Sequence, residues 1–540
     1  MSARQASVIE AAAAQAQRVG SQSERYGKHA SLVVAIVAGL VGAAALYYFT
    51  SRGLANIYGD GLYHLIGARR LIDGNYNSFA ERYAQIGTPW LPLPHIGMLP
   101  FIWNDYLWRS GLAGGLVSYI SFVIASVILF KLALLFYRDE RQPLFWASLV
   151  AFIFIFNLGL LYMQSTPMTE PLFIAVLVSS VYFLQKWALG QQRCTLAASG
   201  FLMALASLTR YEAWAILPFA GLVVLLLSHK RGAGRIYDGL IWSGLAALGP
   251  LYWLWHNYFI FNNPLEFYNG PYSAKVIYLS GGYRAITHGD LSESFKVVFA
   301  AARLCAGYVI WILAAIGLLQ VCWLRRRAWC SCLPTLLLVV PLAFHLYSLY
   351  TGNIEMMVIR WWYNARYALL YLPAIAILAP ASVLIIKRER LQATLIIALV
   401  MINYGVIYWR GIWGQSVFIE AYRNNVLSPD WAAREQISRY LRANRPKEMI
   451  LLDPGLGSVV APSGLNFKSV KFFYSHKQHD PWSAVGRDIE TIITRKDSPL
   501  WKLLKDPSVN EAFNLEYSTS GESVFTVWSR RRAQKAGSGI

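Results

Sequence analysis

Apolar windows recur along the chain with short polar breaks between them. Crossing a bilayer takes about 20 mostly apolar residues. Windows of that kind fall near 31–50, 112–137, 144–164, 171–187, 195–208, 213–228, 238–261, 299–322, 332–350, 367–386 and 391–409. The pattern predicts an all-α polytopic membrane region of about eleven spans, a count that changes if the short windows between 171 and 228 tilt or merge. Two stretches break the rhythm. The first, 51–111, is far longer than an ordinary connection of about 4–6 residues. Within it Leu62, Leu65, Ile66 and Leu71 recur at near-helical spacing, and 90–108 mixes aromatics with prolines. Such amphipathic segments are expected to lie in the bilayer interface. The second break follows Trp413. There SPDWAAREQISRYLRANRP reads as an amphipathic helix capped by Ser428 or Asp430. MILLDPG reads as a buried strand and SVFTVWSR as a closing strand. Together they predict a small α/β or α+β soluble domain. No internal repeat is visible.

Composition agrees with the pattern: 56% of residues are hydrophobic and 14% charged. The net charge of +20 does not point to nucleic acid, because the basic runs sit between apolar windows, where they set topology and meet anionic lipid. With the N-terminus inside, the inner loops are RDERQP, the QKWALGQQRC stretch, SHKRGAGR, WLRRRAW and KRER. The inner segments then carry about 17 Lys and Arg in about 70 residues, the outer ones about 11 in about 124. The first 30 residues lack a cleavable signal pattern. They read as a cytoplasmic leader before an uncleaved first span. The expected division is 1–30 leader, 31–410 membrane region, 411–530 outer soluble domain and 531–540 basic disordered tail.

This orientation gathers the chemistry on one face. The outer side receives the 51–111 loop, STPMTE (165–170), TRYE (209–212), the loop 262–298 and TGNIEMMVIRWWYNAR (351–366). The five cysteines lie within or on the inner side of the membrane half and imply no disulfide framework. Cys330 and Cys332 lack the second pair that a metal site needs, and read as small buried apolar residues.

Asp60, between two glycines, stands first among the candidates. Three readings are open: a general base for an acceptor hydroxyl, a metal ligand, or the N-cap of a helix beginning near Leu62. His64, four residues on, shares a helical face with it. The pair can hold a divalent cation, the one cofactor the sequence offers, or His64 is a hydrogen-bonded interfacial residue. Glu170, Arg210 and Glu212 fall at the starts of apolar windows, where ionisable groups are costly. They line a polar cavity, or clamp short turns as an ion pair. Arg360 and Arg366 flank IRWWYNARY; a guanidinium fork there suits a lipid phosphate, or anchors a span end. Lys275 and Arg284, with Tyr272 in the Tyr- and Gly-rich loop between 262 and 298, are substrate-loop candidates. No nucleotide-binding or hydrolase motif occurs, and no cytosolic segment is large enough for a nucleotide sugar.

The motifs YGDGLYHLIGARRL, GTPWLPLPH, STPMTEPLF and SLTRYEAWAILPF, in this setting, resemble the GT-C superfamily of integral membrane glycosyltransferases. The branch they resemble most is that of the protein O-mannosyltransferases and the lipid A aminoarabinose transferase. The resemblance covers roughly 30–410. Where many members carry a second acid directly after the first-loop Asp, this chain has Gly61. The resemblance implies a polyprenyl-phosphate-linked sugar as donor and transfer with inversion. Asp60 would then be the base, Arg210, Arg360 or Arg366 would neutralise the leaving phosphate, and Glu170 or Glu212 would orient hydroxyls. The acceptor is a protein, a lipid-linked glycan or a polysaccharide of the cell envelope, and the expected location is a bacterial inner membrane. The rival readings are a lipid-glycan transporter, which predicts inverted repeats, and a non-catalytic subunit of a glycan-assembly complex. The catalytic reading requires Asp60 within about 12 Å of an outer arginine, since both must reach one sugar.

Overall fold

The computed structural model describes residues 3–531 except 75, 77, 281–283, 325–328, 358–362, 445–448 and 474–487. Arg360 lies outside the described residues, as does the basic tail beyond Arg531.

Every expected apolar window is helical, but their lengths divide them. Five helices are long and apolar enough to cross a bilayer: Gly27–Ser51, Leu112–Phe136, Glu170–Gly190, Cys332–Tyr350 and Glu389–Arg410. Arg193–Ser207 and Glu212–Leu227, with 15 and 16 residues, rise only about 22–24 Å, less than the hydrocarbon core of about 30 Å. The window 144–164 is two helices, Pro143–Ile155 and Leu158–Met163, because the Asn157 side chain accepts from the Leu160 amide at 2.9 Å and caps a new start. The first helix runs back through the expected leader to Ala3. The structure therefore supports an integral membrane protein with at least five spans, and the count of eleven is not reproduced by length and composition.

The window 299–322 is not straight. Leu291–Ala306 and Tyr308–Trp323 meet at 116°, and this bent pair would make a sixth span. Gly307 sits at the corner with φ +87° and ψ 156°, a region open in practice to glycine alone. Asn403 fills the space beside it, donating to the Ala306 carbonyl at 3.1 Å. A Cβ on Gly307 would stand 2.2 Å from Asn403 Oδ1. Gly307→Ala is expected to destabilise the protein by about 1–3 kcal/mol, read as a lower thermal unfolding midpoint in detergent. An unchanged midpoint would mean that the corner relaxes freely.

The 51–111 stretch folds as a unit built on the loop helix, Gly59–Asp73. Arg69 ties it down, reaching Asp73 at 3.0 Å, Asp105 at 2.7 Å and the Ile102 carbonyl at 2.8 Å, with its guanidinium over Trp108. Leu62, Leu65 and Ile66 are buried, but against the C-terminal domain and the helix Leu93–Ile102 rather than lipid. The interfacial expectation is corrected there. A long amphipathic stripe is equally well covered by another part of the protein, and the C-terminal domain covers this one. Ile96, Trp103 and Tyr106 remain exposed.

That domain carries a mixed five-stranded sheet of order β2-β1-β3-β5-β4, from β1 (Met449–Leu452), β2 (Val470–Phe472), β3 (Ile489–Arg495), β4 (Phe513–Ser518) and β5 (Phe525–Arg530). β1 pairs in parallel with β2 and β3, and β5 is antiparallel to β3 and β4. The expected closing strand is last in sequence but lies inside the sheet, which explains its buried start. The domain helix, Pro429–Ala443, is capped by Ser428, whose hydroxyl accepts from the Trp431 amide at 3.2 Å. Asp430 instead pairs with Arg495 at 3.1 Å. The domain is bolted to the loop region by Tyr63, whose hydroxyl donates to the Gly455 carbonyl at 2.8 Å. Arg109 adds bonds to the carbonyls of Ala461, Gly464 and Leu465.

Candidate active site

Arg366 is the hub. Asn364 adopts a left-handed conformation (φ 56°), which asparagine tolerates better than most residues, and so starts the 3-10 segment Ala365–Tyr371. The two amides freed by this start, of Asn364 and Ala365, donate to Glu420 at 2.9 and 2.8 Å. Glu420 in turn accepts from Arg366 Nη1 at 3.2 Å and from the Tyr58 hydroxyl. Burial pushes the Glu420 carboxyl up, against the opposing pull of Arg366, Tyr58 and the two amides. Burial first, then Glu420, hold the Tyr58 phenol well above its ordinary range, so it stays a donor.

The opposite edge of Arg366 meets two more carboxylates. Its Nη2 pairs with Asp60 Oδ2, and its Nε donates to Glu170 Oε1 at 3.2 Å. The same Glu170 oxygen accepts from Arg210 Nη1 at 2.9 Å. Arg210 also forks onto Glu212, at 2.8 Å from Nη2 and 3.1 Å from Nε. Glu212 accepts from His345 Nε2 at 2.9 Å, and His345 Nδ1 lies 2.6 Å from the Tyr371 hydroxyl. Tyr367 lies between the two guanidinium groups, with its ring centre 4.9 Å from Arg210 and 5.0 Å from Arg366. The result is one hydrogen-bonded chain running Asp60, Arg366, Glu170, Arg210, Glu212, His345. Two arginines in it stay charged at any ordinary pH.

This chain forms one wall of a cavity of about 390 Å³. Asp60, His64, Arg210, Glu212, Arg366 and Lys275 line it, with Trp90, Tyr211, Trp214, Phe267 and Tyr367 as aromatic walls. The five segments expected on the outer side each contribute lining residues. Asp60 is the most open of the acids, its side chain 43% exposed against 0% for Glu170. Glu170 does not line the cavity; it bridges two arginines from behind, and among the described residues its Oε2 has no hydrogen-bond partner. Lys275 donates to the Tyr268 hydroxyl at 2.8 Å. Tyr272 and Arg284 are not in the lining, and Arg284 is spent on the His288 carbonyl at 3.1 Å.

Two local expectations change. Asp60 is not an N-cap: the helix begins at Gly59 with Tyr58 before it, and the carboxylate sits in the first turn turned toward Arg366. Nor do Asp60 and His64 form a pair. His64 Nδ1 lies 3.0 Å from His95 Nε2, and its ring packs on Trp90. Burial first, then His95, Arg210 and Arg366, hold the His64 imidazole well below its usual range, so it is neutral. With a guanidinium already on Asp60, a divalent cation there meets like charge. Among the described residues no three His, Cys, Asp or Glu side chains gather for a metal. Cys332 is buried as expected, and nothing is described of the Cys330 side chain. A side chain at position 61 would press on Pro167 and Met168, at 3.0 and 3.2 Å from its Cβ. Any side chain there would need Pro167 or Met168 to give by a few tenths of an ångström.

Tyr58, His345, Tyr367 and Glu420 were missed by the sequence reading. His345, an ionisable group inside an apolar span, meets the same criterion that selected Arg210. Glu420 carries no such signal, since it follows the last apolar window.

No family model matches the chain, and no curated protein matches it by sequence. Solved structures do match. ArnT from Cupriavidus metallidurans bound to undecaprenyl phosphate aligns with a TM-score of 0.52 at 12% identity, covering 92% of this chain and 97% of that one. The apo state of the same protein gives 0.48 at 12% identity, over 91% and 97%. Archaeal oligosaccharyltransferase AglB from Archaeoglobus fulgidus, in complex with an inhibitory peptide and a dolichol-phosphate, gives 0.46 at 12% identity, over 94% and 74%. At such identity the likeness is one of fold alone: the chain shares the fold of the ArnT structure that holds undecaprenyl phosphate.

Proposed function

We propose that the chain is a membrane glycosyltransferase that moves a sugar from a polyprenyl-phosphate donor to an acceptor hydroxyl with inversion. The observation that carries this reading is the meeting of one accessible carboxylate, Asp60, with the fork of Arg366 and the adjacent Arg210 at a single aromatic-lined cavity. The solved relative in fold that binds undecaprenyl phosphate supports the donor class.

The chemistry follows from the arrangement. The donor phosphate takes the Nη2 edge of Arg366, an edge that Asp60 holds, and so releases the carboxylate. Asp60 then accepts the proton of the acceptor hydroxyl. The acceptor oxygen bonds to the anomeric carbon from the side opposite the phosphate, and the bond from that carbon to the phosphate oxygen breaks. Arg366 and Arg210 neutralise the departing lipid phosphate, with Lys275 as a further cation on the facing loop. Glu212, fixed by Arg210 and His345, orients sugar or acceptor hydroxyls, and Glu170 keeps the two arginines in register. The same reading places this end of the bundle and the domain after about residue 410 outside a bacterial cytoplasmic membrane, with the N-terminus inside.

The direct test is turnover of a panel of polyprenyl-phosphate sugars by the purified full chain in nanodiscs, with candidate acceptors. Release of free polyprenyl phosphate with one sugar, together with an inverted anomeric configuration in the product, is expected. A product that retains the donor configuration would contradict the one-base mechanism.

A further inference from the structure

A second cavity of about 470 Å³ lies on the other side of the loop helix, where the domain helix approaches the end of the first apolar helix. The loop helix separates the two spaces: Asp60 and His64 line one, Leu62 the other.

The domain helix turns its apolar side, Ala433, Ile437 and Leu441, into the domain core. Its other side places Arg434, Ser438 and Arg442 at i, i+4, i+8, with Arg439 beside them, along the cavity wall. Among the described residues none of these three arginines makes an ion pair, and Glu435, the only carboxylate in the lining, pairs with none of them. Arg434 reaches the Gly455 carbonyl only at 3.4 Å, and its Nε is buried without a partner among the described residues. Ser438 is 2% exposed, yet its hydroxyl also has no partner among the described residues. Facing them, Thr50 Oγ1 and Asn56 Oδ1 are buried and, among the described residues, unpartnered too.

Buried polar atoms without partners are rare, and a cluster of them around one space points to a ligand. Among the described residues the unmet groups here are one guanidinium nitrogen, Arg434 Nε, and the hydroxyls of Ser438 and Thr50, with one amide oxygen, while Arg442 also donates to the Pro462 carbonyl at 2.7 Å. An acceptor-rich oxyanion bearing a hydroxyl satisfies all of them. Depth adds the rest. Thr50 and Gly53 follow directly on Tyr47 and Tyr48, exposed aromatics in the last turns of the Gly27–Ser51 helix. Aromatics of this kind sit at the headgroup level of a bilayer. We infer that this cavity is a second site, for a phosphate oxyanion, formed between the domain helix and the exit of the first apolar helix and separate from the candidate active site. The oxyanion is that of a lipid headgroup or of free phosphate.

The test titrates the full chain in neutral detergent with phosphatidylglycerol and, separately, with radiolabelled inorganic phosphate. Bound ligand is measured by equilibrium gel filtration. Arg434→Gln/Arg442→Gln is expected to weaken binding at least about tenfold, while leaving Arg210 and Arg366 in place. Saturation by phosphatidylglycerol alone puts the oxyanion on a lipid; saturation by phosphate alone puts it on a soluble ligand. Either supports the site. Binding of neither, or equal affinity in the double variant, overturns it. Should the double variant not fold, the exposed Arg439→Gln is measured instead, with a loss of about threefold expected and no loss overturning the site. Because the readout is binding and not sugar transfer, its failure leaves the catalytic reading untouched.

Discussion

Asp60→Asn is expected to lower sugar transfer by about 10²- to 10⁴-fold, the range that a positioned general base contributes. The substitution preserves size and still offers Arg366 an acceptor oxygen, but it removes the carboxylate oxygen that, on the proposed mechanism, takes the acceptor proton. The fold should be indifferent to it. Asp60 is partly exposed, and Arg366 keeps Glu170 and Glu420 as partners. Donor binding should hold or tighten, because the incoming phosphate no longer competes with a carboxylate for the Nη2 edge. The informative experiment measures kcat and donor KM together, with thermal unfolding alongside. A fall in kcat at constant or lower KM is the expected signature. Transfer within about threefold of wild type would remove Asp60 as the base.

Arg366→Gln is expected to cause the largest loss of stability. Three carboxylates, those of Asp60, Glu170 and Glu420, converge on this one guanidinium, and two of them are buried. Removing the cation leaves them facing one another at low dielectric. Breaking a buried ion pair in this way costs about 3–5 kcal/mol. The measurement is the thermal unfolding midpoint in detergent, compared with Arg366→Lys. Lysine retains the charge, but a single ammonium cannot reach carboxylates lying on separate edges of the guanidinium plane. The Lys variant should therefore recover much of the stability while losing transfer by at least tenfold. A Gln variant as stable as wild type would show that the carboxylates are held by something other than Arg366.

Much of this protein was open to reading from the chain alone. Apolar windows follow from the bilayer requirement, so each window could be placed, and each is helical. Ionisable residues at the mouths of those windows are costly wherever they occur, so Arg210, Glu212 and Glu170 stood out before any contact was known, and Arg366 stood out as a guanidinium beside an aromatic run. The small C-terminal sheet was foreshadowed by the change in periodicity after Trp413, and the cap of the domain helix was narrowed to Ser428 or Asp430, of which the structure uses Ser428.

What the sequence could not decide were relations between distant segments. A string of apolar residues does not show that a helix turns through 116° at Gly307, because the corner depends on Asn403, far along the chain. An amphipathic stripe on the loop helix does not say whether lipid or protein covers it; the C-terminal domain does. Glu420 lies in an ordinary stretch and becomes a partner of Arg366 only when the chain places them together, 54 positions apart. Local composition sets which residues are expensive to bury. Only the tertiary structure, which brings the charges of segments hundreds of residues apart within hydrogen-bond reach, sets how that expense is met: Asp60 and Arg366 face each other at one cavity, 306 positions apart.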